Sequence, residues 1–249
     1  MYLRFANERT QPSLDLIHRI RLSDPRRIMD LGCGPGNSTA ALRRRWPEAK
    51  VVGLDSSPEM IEKARRSYPE GTWVLGDAAN WQAEDPFDLI FSNALLHWLP
   101  DHARLCPRLL DQVAPGGALA VQVPAHYDSP LHREILAVSK NATWNHRMDA
   151  ARLALTKEPP ALYYDVFHSI ASHFDLWETT YYHVLAGPEG VLEWFRGTGL
   201  RPFLEALDSD EDRERFEGML GERYKETYPR RPSGKVLFPF RRLFFVAYR

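Results

Sequence analysis

Only two cysteines, Cys33 and Cys106, occur in the 249 residues. That excludes a disulfide framework and fits a reducing cytosol, so a cytoplasmic protein is expected. The histidine pairs His97/His102 and His168/His173 come with no third ligand cluster, so no metal is expected. No stretch approaches the roughly 18 uncharged apolar residues of a membrane span, and Met1-Tyr2-Leu3-Arg4 opens no apolar run. Neither secretion nor membrane insertion is expected. An excess of one charge is missing too: 32 Lys and Arg stand against 33 Asp and Glu, a formal net charge of −1. No global basic field exists to hold a nucleic-acid backbone. The clusters Arg43-Arg44-Arg45, Arg230-Arg231 and Arg241-Arg242 read as solvated faces. Internal repeats and low-complexity tracts are also absent.

What remains is a globular composition, 44% apolar and 26% charged. The length suits one α/β domain over 1–249. Leu14, Ile17 and Ile20 predict a first helix over 12–22, started by Pro12 and Ser13. Strands are expected at 27–31, 50–54, 72–75, 86–91, 118–123, 174–184 and 236–248. Helices are expected at 40–46, 58–67, 101–113 and around 163–172, with a turn at Ala114-Pro115-Gly116-Gly117. Strands alternating with helices predict a doubly wound, mostly parallel seven-stranded sheet of the Rossmann-like kind. Residues 125–158 and 185–234 break the alternation and read as helical insertions. In such a sheet the carboxyl ends of the strands share one edge, where ligands bind. Both insertions are expected to form a lid over that edge.

The most informative stretch runs from Ile28 to Thr39. A short apolar strand leads into Asp30-Leu31-Gly32-Cys33-Gly34-Pro35-Gly36, and a helix follows. Glycines suit a turn in which backbone approaches a ligand or φ is positive. A second buried strand, Lys50 to Leu54, ends at Asp55. That carboxylate follows Gly36 by about 20 residues, the offset at which an acid meets a ribose diol in such folds. Ser56 and Ser57 can cap the next helix, leaving Asp55 for a ligand. A dinucleotide fingerprint would place a glycine at Asn37. An acid beside the loop suits an ammonium better than a pyrophosphate.

These residues resemble the first motif of the class I S-adenosylmethionine-dependent methyltransferases, D/E-x-G-x-G-x-G. The resemblance implies S-adenosyl-L-methionine as cofactor and S-adenosyl-L-homocysteine as product. It places Asp30, Gly32, Gly34 and Gly36 at the methionine end, and Asp55 with Ser56 at the ribose. Asp77 falls at the exocyclic amine of adenine, with the Ala78 N–H toward the ring. The Asn93 carbonyl falls at the ammonium. Met60 is either a cover for the adenine face or a core residue.

Longer runs resemble the trans-aconitate methyltransferases over nearly the whole chain. They include Tyr2-x2-Phe5 with Arg9 and Pro12, Arg45-Trp46-Pro47, Asp55-Ser56-Ser57-Pro58 and Trp98-Leu99-Pro100-Asp101-His102. In the last third they are Thr179-Thr180-Tyr181-Tyr182-His183, Thr198-Gly199-Leu200-Arg201-Pro202 and Arg242-Leu243-Phe244. The sequence departs from the pattern at His97, where Gln is expected, and over 125–160. The resemblance implies a monomethyl ester of trans-aconitate or a related small polycarboxylate as product. A polycarboxylate needs cations, preferably arginine. Arg201 and Arg242 lead, Arg9 and Arg196 follow, and Tyr181, Tyr182, His183 and Trp98 complete the candidate acceptor set.

Methyl transfer to a carboxylate is a direct displacement, and a carboxylate is already ionised at neutral pH. No catalytic acid or base is expected, only proximity and orientation. The alternatives are a methyltransferase for a malonyl thioester or an amine, and a non-catalytic S-adenosylmethionine-binding module. The expected partner is a small anionic substrate rather than nucleic acid or membrane. The chain is expected to be a monomer or weak homo-oligomer.

Overall fold

A computed structural model describes residues 6–125, 129–154, 158–196 and 199–249, with side chains from residue 10 onward. Tyr2, Phe5 and the side chain of Arg9 lie outside the described residues. Helix α1, Ala6–Arg19, precedes strand β1, Arg27–Leu31. Next come α2, Asn37–Arg45, β2, Lys50–Asp55, α3, Pro58–Ser67, and β3, Thr72–Leu75. Strand β4, Phe87–Asn93, leads through a one-turn 3₁₀ helix, Leu96–Trp98, to α4, His102–Leu110, and β5, Val113–Pro124. Helices α5, Pro130–Ser139, α6, Asp149–Leu153, and α7, Pro160–Phe167, lead to β6, His173–Leu185. After α8, Pro188–Arg196, α9, Arg201–Glu205, and α10, Asp210–Thr227, the chain closes with β7, Val236–Tyr248.

The seven strands form one sheet in the order β3-β2-β1-β4-β5-β7-β6. β1 pairs in parallel with β2 and β4, β2 with β3, and β4 with β5. β7 returns antiparallel to β5, with Arg242 opposite Pro124. The strand order reverses between β1 and β4, the point at which doubly wound sheets open a ligand crevice. The central strands are buried on both faces, which is why Ile28, Leu31, Leu89, Ile90, Phe91, Leu119 and Val121 form nearly continuous apolar runs.

The chain divides into two compact units. Asn7–Pro124, Glu158–Thr179 and Arg242–Arg249 form a sheet unit; Ala125–Lys157 and Thr180–Arg241 belong to a helical unit. The helical unit has its own core, in which Trp144, Trp194, Phe195, Phe203, Phe216, Phe238 and Tyr224 are buried together. Local signals account for its helix starts. Ser129 caps α5 by accepting from the His132 N–H at 3.2 Å, with Pro130 in the first turn. Ser209 caps α10 by accepting from Asp212 at 3.1 Å, and Asp210, Glu211 and Asp212 complement the helix dipole.

Two expectations about elements are corrected. Helix α1 starts at Ala6, not Pro12, and carries Pro12 inside it. A proline removes one backbone donor there, and the helix continues past it to Arg19. The expected turn at Ala114–Gly117 lies inside β5, whose pairing shifts register between Phe87 and Leu89. Gly116 takes the positive φ of 81° within this irregularity. Proline and glycine there mark a bulged strand start rather than a break.

Candidate cofactor and acceptor site

The glycine turn leaves β1 at the switch point. Gly32, Gly34 and Gly36 all have positive φ, at 71°, 53° and 93°. They differ in what a side chain would meet. A Cβ on Gly32 would lie 2.7 Å from Leu95 Cβ, and one on Gly36 would lie 2.6 Å from the Trp73 ring. A Cβ on Gly34 would meet nothing within 4 Å. Gly32 and Gly36 are glycines because the protein crowds them; Gly34 faces open space that a ligand could fill.

The turn is tied to β2. Gly32 and Cys33 donate their N–H groups to the Leu54 carbonyl at 2.8 and 3.0 Å. Asp55 accepts from the Gly34 N–H at 2.9 Å through one carboxylate oxygen and from the Ser57 N–H at 2.9 Å through the other. Each oxygen retains acceptor capacity, and the side chain is half-buried. Ser57 caps α3 by accepting from Met60 N–H at 3.3 Å. Ser56 is exposed and Met60 half-buried on the same element boundary.

Asp30 is fully buried. Ser38 and Thr39, on the first turn of α2, both donate to Oδ2 at 2.6 Å, while Oδ1 has no partner. Burial pushes its carboxyl up to about 6; the two hydroxyls oppose that shift and the Asp55 charge adds to it. An unpartnered buried carboxylate oxygen beside a glycine turn is a fit for a cation. On β4, Asn93 Oδ1 is likewise buried without a partner, and Ala94 after it has the positive φ of 59°. Left-handed backbone on an alanine is local strain, held by the bond from the Ala94 N–H to the Gln122 carbonyl at 2.9 Å.

Asp77, just past β3, is exposed; its carboxylate accepts from the Ala79 N–H and from Asn80 Nδ2, both at 2.9 Å. Ala78 beside it is buried. Asp30, the glycines, Asp55, Asp77 and Asn93 therefore stand at or just beyond the carboxyl ends of four adjacent parallel strands. Arg242, opposite the end of β5, stands at that edge too and is only 5% exposed. Its Nη1 donates to Gln122 Oε1 at 3.2 Å. Trp98 is partly exposed against His97, ring centroids 4.9 Å apart.

The other acceptor candidates belong to the helical unit. Arg196 makes a two-point pair with Glu217, at 2.6 and 2.9 Å. Arg201 pairs with Glu205 at 2.7 Å on α9. Tyr182 is exposed and Tyr181 half-buried, while His183 is buried and stacks on Trp194, centroids 4.3 Å apart. Strand alternation thus separates His183 from Tyr182, as a period of two requires.

Sequence reasoning passed over Gln122 and treated His97 as half of a histidine pair and as a departure from a pattern. A polar residue inside the apolar run Ala118–Val123 was the available signal for Gln122. Among the described residues no group of three His, Cys, Asp or Glu could hold a metal ion, and no helix is long and apolar enough to cross a membrane.

Comparison with known proteins identifies the family. Residues 28–117 match the family model of a methyltransferase domain. A trans-aconitate 2-methyltransferase of Azoarcus sp. (strain BH72) is 47% identical over 248 residues, covering 100% of this chain and 97% of the relative. One from Methylobacterium nodulans is also 47% identical, covering 100% and 96%. Among solved structures, the YcgJ protein from Bacillus subtilis superposes with a TM-score of 0.61 at 14% identity, covering 96% of this chain and 98% of that one. A Haemonchus contortus phosphoethanolamine N-methyltransferase 2, solved with phosphomonomethylethanolamine and S-adenosylhomocysteine, gives 0.59 at 14% identity, covering 96% and 52%. At such identities these structures share the fold.

Proposed function

This chain belongs to the trans-aconitate 2-methyltransferase family and is an S-adenosylmethionine-dependent methyltransferase, and we propose that its acceptor is a carboxylate of trans-aconitate or a close polycarboxylate relative. The observation that carries the acceptor reading is Arg242, a buried guanidinium at the carboxyl end of β5 in the same unit as the glycine turn. A guanidinium offers planar, always-charged donors that match a carboxylate in two-point geometry, and this one stands at the edge where the cofactor turn lies.

When bound, S-adenosylmethionine supplies an electrophilic methyl group on a sulfonium. The unpartnered Oδ1 of Asp30 and the carboxyl end of β4 at Asn93 suit its ammonium. Gly34 leaves room for its methionine chain. Asp55 retains acceptor capacity for the ribose hydroxyls, with Ser56 beside it, and Met60 can cover the adenine. Asp77 suits the adenine amine and the Ala78 N–H the ring. Arg242 and Trp98 then orient the acceptor. A carboxylate is ionised at neutral pH, so the residues need only align its oxygen with the methyl carbon and exclude water. Such alignment is worth about 7–11 kcal/mol of barrier.

The reading extends to a cytoplasmic protein that is monomeric or weakly associated and takes a small anion. Two buried free cysteines and the near-neutral net charge support that. The test is methyl transfer from labelled cofactor to a panel containing trans-aconitate, simpler dicarboxylates, a malonyl thioester and small amines. Trans-aconitate or a related polycarboxylate should give the highest kcat/KM, with a base-labile monoester as product. A neutral acceptor preferred over every polycarboxylate would overturn the assignment. Cofactor binding with no transfer to any acceptor would favour a non-catalytic binding module.

A further inference from the structure

At the carboxyl ends of β4 and β5, Gln122 Nε2 is buried with no hydrogen-bond partner. So is Nδ1 of His97, on the 3₁₀ turn that follows β4. Gln122 is fully buried and His97 is 6% exposed. Two buried polar nitrogens without partners, one on β5 and one on the 3₁₀ turn packed against that strand, call for a ligand.

The register decides which face of the sheet Gln122 takes. Asn93 is aligned with Gln122, and Gln122 with Phe244, so their side chains share a face of the sheet. Arg242 lies two residues from Phe244 and projects from that same face. The Gln122 amide has one permitted orientation. A guanidinium only donates, so Arg242 Nη1 at 3.2 Å fixes the amide oxygen toward itself and leaves the NH₂ group over. Burial, the Arg242 charge and then His102 push the His97 imidazole down to about 3. His97 is therefore neutral, and its turn packs against β5, the strand that carries Gln122. A neutral imidazole can carry its proton on Nδ1.

We propose that Gln122 and His97 join Arg242 in a clamp for a carboxylate of the acceptor, and that the clamped carboxylate is not the one methylated. This rests on the acceptor reading above. An amide NH₂, an imidazole N–H and a guanidinium present donors only, so the complementary ligand is an oxyanion. Donors that grip an oxyanion also draw charge from it and weaken it as a nucleophile. The methylated oxygen must therefore belong to a second carboxylate, reached by the cofactor from the glycine-turn side of the same edge. Gln122 and His97 thus select acceptors with at least two carboxylates, and the product keeps a free carboxylate in the clamp.

The test is calorimetric titration of trans-aconitate into the protein saturated with S-adenosylhomocysteine, together with kcat and KM. Gln122→Glu removes the amide donor and places a negative charge against the ligand. It should weaken trans-aconitate at least about 30-fold, as loss of charge-assisted hydrogen bonds does, while S-adenosylhomocysteine affinity stays within about threefold. His97→Leu should raise KM about tenfold with kcat less affected, and His97→Gln should recover most of that by restoring a donor. The preference for di- and tricarboxylates over a monocarboxylate should shrink in Gln122→Glu and His97→Leu alike.

Folded Gln122→Glu that binds trans-aconitate like wild type would overturn the clamp. If Gln122→Glu fails to fold, the His97 pair decides: equal acceptor affinity in His97→Leu and His97→Gln would overturn it. Wild-type protein that binds the polycarboxylate without methylating it would sink the acceptor reading and leave the clamp standing. Wild-type protein that binds no di- or tricarboxylate would remove both.

Discussion

The sheet unit and the helical unit handle their polar groups differently. In the helical unit the arginines are largely matched within the fold: Arg196 with Glu217, Arg201 with Glu205, Arg152 with Asp149, and Arg213 with Asp210. Unpartnered buried atoms occur in both units, Arg147 Nε in the helical one, but in the sheet unit four gather at or just past the strand ends: Asp30 Oδ1, Asn93 Oδ1, His97 Nδ1 and Gln122 Nε2. Four such groups near one edge of one sheet are too costly to be indifferent packing. Matched charges stabilise a fold; unmatched buried ones mark where something else completes it. The difference teaches that a count of arginines says less about where a ligand would sit than an inventory of what each buried polar atom meets.

Gly34→Ala should produce the largest effect and separates the two kinds of glycine in the turn. The new Cβ has space, so the cost to folding is the left-handed φ alone, about 1 kcal/mol. That Cβ, however, would occupy the room proposed for the cofactor. Cofactor affinity should fall about 100-fold, the scale of a blocked close approach, with the melting temperature nearly kept. Gly32→Ala should do the reverse, since its Cβ would meet Leu95 at 2.7 Å and the turn must shift to admit it. Equilibrium binding of S-adenosylhomocysteine beside thermal melts reads both. Equal stability losses in the two variants would erase the distinction.

The glycine turn and the parallel strands around it were legible because backbone geometry writes itself into residue type. Positive φ at 32, 34 and 36 demands glycine, and the buried parallel strands demand apolar runs. The place of Asp55 at the end of β2 was legible from the apolar run before it, and Ser57 as the cap of α3. The Gln122–Arg242 pair is brought together across strands, and no local pattern records that. Gln122 meets Arg242 from 120 positions away in sequence, through the antiparallel return of β7. Arg201 illustrates the converse: a matched run drew attention to it, yet its neighbour four residues on already satisfies it. Pro12 and the Ala114–Gly117 stretch misled because proline and glycine are tolerated inside elements wherever a lost bond or a bulge is accommodated.

A moderate effect is expected from pH. Asp30 is held up at about 6 by burial, so the folded ligand-free protein binds its proton more tightly than the unfolded chain does. Stability from this group is therefore present at low pH and falls as pH rises from about 4 to about 6. If Asp30 meets the cofactor ammonium, affinity should rise across that window as the carboxylate forms. Asp30→Asn should abolish this rise and weaken cofactor about tenfold above pH 7, while stabilising the ligand-free protein there by on the order of 1–2 kcal/mol. His97 works in the opposite sense. Its folded value is pushed down to about 3, so its contribution is present above about 6.5 and lost as pH falls toward 3. In Asp30→Asn the acid-side loss from His97 should therefore stand alone, as melts from pH 4 to 8 would reveal.

The smallest effect is expected at Arg201, and it tests the comparison from the other side. Its side chain is 74% exposed and already hydrogen-bonds Glu205 at 2.7 Å, one turn along α9. That bond, rather than any buried neighbour, raises its pKa above the ordinary arginine value. An exposed pair of this kind contributes between nothing and about 1 kcal/mol. Arg201→Leu should consequently leave the melting temperature nearly unchanged and hold acceptor KM within about twofold, the range of a screened surface charge. Arg242→Leu, measured alongside, removes the buried guanidinium and should raise KM by at least tenfold, the loss expected of a charged hydrogen-bond partner. A tenfold rise for Arg201→Leu at unchanged stability would show that a self-matched arginine can exchange its glutamate for substrate. Matched and unmatched polar groups would then no longer divide the fold's own charges from its ligand's.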